Sequence, residues 1–341
     1  MSVNWNKKLE KTGGNKVTRR VTEPPSTDLS FIRHILELHL LSPVPHQSDF
    51  SVFLRFTMIL LESMKKLSVL AHLLQRDLPH SITVYGGLQH IRNNNPFNME
   101  VCVDSWPDFR TVVLRRQRQF ITDDNDAFSN PYAIFAKEPE QLKRMLLEFK
   151  VIDWKQSLLL YCISGFTFDI LKEVADAKDL TLENFTMPSK IFIHHNPEII
   201  EDGWFHKSSK LSSDTTFLAE LINKNTKYCG SEQSLNYIKK CIELLPSAYI
   251  LDDEGHFMGW CLTDELSTFR MGYILPEFRN KGYMKRLVTN LAKLIHQRGH
   301  PAYTFVTKSN TISQLLCKSL GMTEYPHTYY YLKMTPRKSR L

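Results

Sequence analysis

The chain has 341 residues, of which 42 % are hydrophobic and 11 % aromatic, enough to form two domains with separate cores and to exclude disorder over most of the length. Its net charge of +7 is spread along the chain, and no interleaving of aromatic and basic residues resembles a nucleic-acid module, so no nucleic-acid partner is expected. Cys102, Cys162, Cys229, Cys241, Cys261 and Cys317 are far apart, with no CxxC pair and no nearby His at metal-ligand spacing, and read as reduced thiols rather than a metal site; no apolar run reaches the roughly 18 residues that span a bilayer.

Residues 1–57 differ in character from the rest. Residues 1–28 are polar and carry Lys7, Lys8, Lys11, Lys16, Arg19 and Arg20, which predicts a disordered extension, followed by a short helix over Phe31–Leu41 that Pro43 and Pro45 stop. A mitochondrial presequence and a plain extension both remain open here; Glu10, Glu23 and Asp28 count against the former, and Met58 and Met64 are alternative beginnings.

From about Ser51 the pattern becomes globular. A helix over Phe53–Gln75 is expected, then the alternating strand Ile82–Tyr85 and a Gly86-Gly87 turn. Strands Glu100–Asp104 and Thr111–Arg115 follow the loop Asn93–Phe97. Asp123-Asp124-Asn125-Asp126 lacks the glycine and distal glutamate of a calcium loop and reads as a solvated acidic turn. Strand Tyr132–Ala136, a helix Glu140–Leu147 opened by Pro139, strand Leu158–Ile163, helix Phe168–Lys178 and strand Ile191–His195 complete this half. His194 and His195, adjacent on a strand, face opposite sides and make no joint metal site.

The C-terminal half is more regular. Helix Thr216–Lys224 and a helix beginning near Gly230-Ser231-Glu232 and ending at Pro246 precede strands Ala248–Leu251 and Phe257–Leu262. Strand Phe269–Leu275 then leads through Arg279-Asn280-Lys281-Gly282 into a helix with apolar Met284, Leu287, Val288, Leu291, Leu294 and Ile295 at helical spacing. Unpaired N–H groups at such a helix start, the positive end of its dipole and a glycine without a Cβ can seat a diphosphate; an ordinary strand-turn-helix with a basic face is the alternative. Strand Tyr303–Val306, helix Asn310–Leu320 and strand Tyr329–Met334 finish the chain. Tyr325–Leu332 is a candidate for ligand contacts, or else a buried edge strand. The fold class is α/β (α+β), and the hairpin-then-helix order hints that the N-terminal half is a worn copy of the C-terminal one.

With these residues in place the chain resembles the glycine N-acyltransferase family, a branch of the GNAT acyl-CoA N-acyltransferase superfamily. The resemblance rests on Val84-Tyr85-Gly86, Asn95-Pro96-Phe97-Asn98, Val103-Asp104-Ser105-Trp106-Pro107-Asp108-Phe109, Thr122-Asp123-Asp124 and Asp153-Trp154-Lys155-Gln156 in the first half. In the second half it rests on Gly230-Ser231-Glu232-Gln233-Ser234-Leu235, Met271-Gly272-Tyr273 and Leu275-Pro276. It covers the chain from about Met58 and implies an N-terminal domain over 58–214 and a GNAT catalytic domain over 215–341. It also implies acyl transfer from acyl-CoA, a co-substrate rather than a bound cofactor, to the amine of glycine, with Glu232 as general base. Arg279, Gly282 and Met284 would occupy the diphosphate pattern, flanked by Asn280, Lys281 and Tyr283, and the backbone of Met271, Gly272, Tyr273 and Ile274 would line the pantetheine arm and support an oxyanion. Met284 departs from the glycine or alanine of that pattern, which motivates the alternative of a weakly active acyl-CoA-binding relative; glutamine is the alternative acceptor. A mitochondrial monomer is expected, with cytoplasm or endoplasmic reticulum as alternative locations.

Overall fold

Strand pairing of unequal halves, rather than two separate sheets, organises this chain. The structure, a computed structural model, describes residues 58–184, 188–199 and 215–337. What the sequence predicts for 1–57 lies outside the described residues.

The first half runs β1 (Ile59–Leu60), α1 (Met64–Gln75), α2 (Ile82–Arg92), β2 (Met99–Val103), β3 (Thr111–Arg116), β4 (Pro131–Ala136), α3 (Pro139–Glu148), β5 (Leu158–Ser164), α4 (Gly165–Ala177), β6 (Leu180–Asn184) and β7 (Ser189–His194). The second runs α5 (Thr215–Asn225), α6 (Glu232–Leu244), β8 (Ser247–Leu251), β9 (Phe257–Thr263), β10 (Thr268–Ile274), α7 (Tyr283–Gln297), β11 (Ala302–Thr307), α8 (Thr311–Ser319) and β12 (Thr323–Pro336). The two successions match: two helices, an antiparallel trio, a helix, a strand parallel to the third, a helix and a returning strand.

The sheet order is β1-β2-β3-β4-β5-β12-β7-β11-β10-β9-β8. About the β12–β7 seam the arrangement is symmetric, since β4–β5 and β10–β11 are the parallel pairs and their neighbours are antiparallel. Each half therefore completes its sheet with the other's last strand: β12 lies against β5, and β7 against β11. Strands thus cross the expected 214/215 boundary in both directions. One face carries α1, α2, α5 and α6 over a core with Leu70, Leu88, Leu218, Ile238, Trp260 and Tyr303; the other carries α3 and α4 over one core, and α7 and α8 over another.

Three expectations are corrected. The helix expected from Phe53 begins at Met64, because Ile59 and Leu60 pair with Val103 and Cys102. Ile82–Tyr85 is not a strand ending in a glycine turn but the start of helix α2, buried along Ile82–His90. Gly86 and Gly87 are packing glycines: a Cβ at Gly86 would run into the Leu266 carbonyl oxygen, and one at Gly87 would come within 2.9 Å of Leu114 Cδ1. Tyr325–Leu332 belongs to β12, which is an interior strand rather than an edge. The acidic turn is solvated only in part: Asp123, Asp124 and Asn125 are exposed, with Asp124 engaged by Arg118 and by Gln156, each at 2.6 Å, whereas Asp126 is buried and accepts from the Phe128 N–H and the Ser129 hydroxyl. His194 is buried with Nε2 2.8 Å from the Leu320 carbonyl, while His195 is exposed and meets the Tyr325 hydroxyl. Cys102, Cys229, Cys241, Cys261 and Cys317 are free thiols.

Candidate functional site

The site begins with a break in β10. Phe269 and Arg270 pair with Thr263 and Leu262 of β9, then the register shifts, and pairing resumes only at Tyr273 and Ile274. Met271 sits in the bulge with φ of 53°, a left-handed value that a side chain other than glycine adopts only under constraint. On the other edge, parallel pairing with β11 stops at Phe269 opposite Thr304. The edge of β10 from Met271 onward is left without a strand partner on that side, and backbone N–H groups there are available to something inserted between β10 and β11.

A cavity of about 290 Å³ occupies this gap. Cys261, Phe269, Met284, Val288, Leu316 and Cys317 line it on the α7/α8 face, and Phe128, Cys229, Met271, Phe305 and Tyr331 on the face of α5 and α6. The cavity thus runs through the sheet and connects its two sides. Its walls are mostly apolar, and burial pushes the Cys261 and Cys317 thiols up to about 12, which leaves both protonated and inert at neutral pH.

The start of α7 has the features of an anion seat. Gly282 is the N-cap of α7 with φ of 77°, and Asn280 before it has φ of 62°, so the turn depends on two left-handed residues. Arg286 N–H already bonds the Gly282 carbonyl, whereas the N–H groups of Tyr283, Met284 and Lys285 open the helix, with no acidic residue in the first turn. No atom lies within 4 Å of a Cβ placed on Gly282, so the space above the turn is open. Exposed Lys281, Lys285 and Arg286 surround it. Arg279, also exposed, is engaged by the protein itself: its Nε donates to the Ile274 carbonyl at 3.0 Å and its guanidinium covers the Tyr273 ring at 5.2 Å.

Of the backbone stretch singled out in the sequence, Met271 and Gly272 line the cavity; the Tyr273 ring stacks on Trp260, and the Ile274 side chain is in the core. Met284 lines the cavity too, its Sδ 3.4 Å from where a Gly272 Cβ would stand. The residue is therefore not a neutral replacement: its backbone N–H stays at the helix start while its side chain narrows the slot.

At the opposite mouth, the loop from α5 to α6 brings in Thr226, Tyr228 and Cys229. Asn223 Oδ1 accepts from Gly230 N–H at 2.9 Å and from Ser234 Oγ at 2.6 Å, and Ser231 Oγ caps α6 through Ser234 N–H. Glu232 follows as the first residue of α6, exposed, three residues beyond Cys229, and not among the residues lining the cavity.

Sequence reasoning missed a buried polar cluster behind this mouth. Asp264 and Glu265, in the turn between β9 and β10, are 1 % and 0 % exposed. Tyr237 of α6 donates to Glu265 Oε2 at 2.6 Å, and Asp264 pairs with Arg270 at 3.4 Å. Burial pushes the Asp264 carboxyl up to about 7, with Arg270 pulling the other way. Nothing in periodicity signals such a group; Thr263-Asp264-Glu265 reads as an ordinary polar turn until β10 folds over it.

Residues 58–246 match the family described as aralkyl acyl-CoA:amino acid N-acyltransferase, and 248–336 match the C-terminal region of that family. Human glycine N-acyltransferase-like protein 2 is 32 % identical over 296 residues, 82 % of this chain and 99 % of the relative. Rat glycine N-acyltransferase is 32 % identical over 285 residues, 78 % of this chain and 95 % of the relative. A Drosophila protein solved by X-ray crystallography shares the fold, with TM-score 0.63 at 17 % identity over 82 % of this chain and 99 % of its own.

Proposed function

The chain belongs to the aralkyl acyl-CoA:amino acid N-acyltransferase family and is an acyltransferase, and from that premise we propose that it transfers an acyl group from acyl-CoA to the amine of glycine. The observation that carries the reading is the through-sheet cavity at the β10–β11 gap, which gives one substrate the α7 side and the other the α5/α6 side. The acyl-CoA diphosphate lies on the N–H groups opening α7, helped by Lys281, Lys285 and Arg286. Its pantetheine arm follows the unpaired edge of β10 along Met271–Ile274.

Glycine reaches the thioester from the α5/α6 side. Glu232 takes a proton from its ammonium group at the rim, because a protonated amine has no lone pair to attack with. The amine nitrogen then bonds to the thioester carbonyl carbon, N–H groups of β10 carry the oxyanion, and the C–S bond breaks as the nitrogen sheds its second proton, which the departing CoA thiolate takes up. Support for Glu232 is its place at the start of α6, beside the loop that walls the acceptor mouth.

Glu232→Gln tests the base: CoA release with saturating acyl-CoA and glycine near pH 7 is expected to fall by about 10²-fold or more. An unchanged rate removes Glu232 from that role. The Met284 side chain over Gly272 favours a second reading, slow turnover with acyl-CoA binding retained. Acyl-CoA binding without amino-acid-dependent CoA release would establish it. Release with glutamine but not glycine would change the acceptor and keep the reaction.

A further inference from the structure

Arg270 is the last residue of β10 to pair before the bulge, and its side chain leaves the strand on the face opposite Phe269. It lies over the rings of Tyr161 and Tyr331, at 5.2 and 5.5 Å, and lines the cavity. Its side chain is only 15 % exposed, and a guanidinium so buried requires an anion. Asp264 supplies one incompletely. Its Oδ1 is committed to the N–H groups of Leu266 and Thr268, at 3.0 and 2.9 Å, and only Oδ2 reaches Arg270 Nη1, at 3.4 Å. That contact uses one of five donors in a fork shaped for a carboxylate.

Burial raises the Asp264 carboxyl, with Arg270 pulling the other way, so this partner is a weakened counter-ion. A buried cation facing a cavity with such a partner favours a second anion. Glu265 does not supply it: among the described ion pairs Arg270 meets Asp264 alone, and Glu265 faces Tyr237, which donates to its Oε2; the Cys229 thiol is pushed up by burial.

Resting on the reading of the protein as an acyl-CoA:amino acid N-acyltransferase, we propose that Arg270 seats the carboxylate of the acceptor amino acid, with Tyr161 and Tyr331 holding the plane of the guanidinium. The next two residues of the strand, Met271 and Gly272, line the same cavity beside the β10–β11 gap. An α-amino acid gripped there by its carboxylate presents its amine, two bonds away, to the strand edge along which the thioester lies. Phe128, Tyr228 and Cys229 line the same cavity on the acceptor side. Arg270 binds and orients; it takes no proton.

The test uses the full chain, one acyl-CoA, and either glycine or glycinamide, which keeps the amine and loses the carboxylate. Wild-type protein is expected to use glycinamide about 100-fold less well than glycine in kcat/KM, because the buried guanidinium is then left with its single 3.4 Å contact to Asp264. Arg270→Gln is expected to raise the KM for glycine about 100-fold, to abolish most of the discrimination against glycinamide, and to leave the Kd for acyl-CoA within about twofold. Arg270→Lys, which keeps the charge without the fork, recovers part of the glycine affinity. If wild-type protein releases no CoA with any amino acid, the enzyme reading fails and this inference with it. Equal use of glycine and glycinamide by the wild type overturns the carboxylate seat alone. Should Arg270→Gln lose acyl-CoA binding and so report a folding defect, an Arg270→Lys variant with wild-type KM for glycine overturns it equally.

Discussion

The turn between β9 and β10 is fastened to α2 by a buried trio that should make it acid-labile. Ser267 Oγ lies 3.0 Å from His90 Nε2 and 2.7 Å from His300 Nδ1, and the two imidazoles stand 4.3 Å apart. Burial pushes His90 down to about 3, with His300 adding to the fall, and pushes His300 down to about 4, with Arg298 adding. Both are neutral in the fold at pH 7. A histidine whose folded pKa lies below its unfolded value of about 6.5 contributes stability that is complete above that pH and is lost as pH falls toward the folded value. For His300, protonation of the unfolded chain alone favours unfolding by about 2 kcal/mol at pH 5 and only a few tenths at pH 7. His90 behaves alike, so the pair costs about 4 kcal/mol across this interval. Asp264, raised to about 7, has the opposite sign: its proton is held more tightly in the fold, and stability is gained as pH falls through 7. The wild-type slope therefore mixes both, and a variant must separate them. His300→Asn leaves Asp264 in place and removes one titration. Urea unfolding at pH 7 and pH 5 should show the wild type losing about 2 kcal/mol more than the variant over that step. Identical pH dependence of the two proteins would refute the buried neutral imidazole.

Three further outcomes follow from the geometry. Gly86→Ala pushes a methyl into the Leu266 carbonyl oxygen, which also accepts from the Tyr303 hydroxyl at 2.5 Å, and should cost about 1–3 kcal/mol in urea unfolding; wild-type stability would show that α2 does not press on this turn. Gly282→Ala forces a side chain into the left-handed region at a cost of about 1–2 kcal/mol, so acyl-CoA affinity measured by calorimetry should fall about tenfold; unchanged affinity would separate the turn from the ligand. Titration of the full chain should find one acyl-CoA per chain, since α3, the counterpart of α7, opens with Pro139, which has no N–H, between Glu138 and Glu140. Two equivalents would refute that contrast.

Legibility followed the range of the interactions. The order of elements from Thr215 onward, and the Arg279–Gly282 turn with its amphipathic helix, could be read because period and turn chemistry are local. Ile82–Tyr85 could not: its β-branched and aromatic residues satisfy a strand, and only burial on all sides by the sheet and by Leu266 makes it a helix. Leu180–Asn184 was missed because β6 exists by pairing with the end of β12, almost 150 residues later in the chain. For the same reason Tyr325–Leu332 looked like an edge; its neighbours β5 and β7 both come from the other half. Within the site, Met271, Gly272 and Met284 were found by motif, whereas Arg270 carried no local signal, since its meaning comes from Tyr161 on β5 and Asp264 across the turn.

The strand exchange gives the first half a reason to persist without a diphosphate seat of its own. Phe128, Ser189 and the Tyr161 ring beneath Arg270 all come from that half and wall or support the cavity that opens in the second. β7 completes the sheet beyond β11, and so fixes one bank of the gap, while β12 carries Tyr331 across to β5. A second half alone would lose the partner of β11 and expose the sheet face beside Arg270. The start of α3 has Pro139 between Glu138 and Glu140, where α7 has Gly282 after Lys281 and no acidic residue in its first turn. Selection on such a half would act on shape and burial rather than on chemistry, which accounts for a repeat plain in topology and faint in sequence.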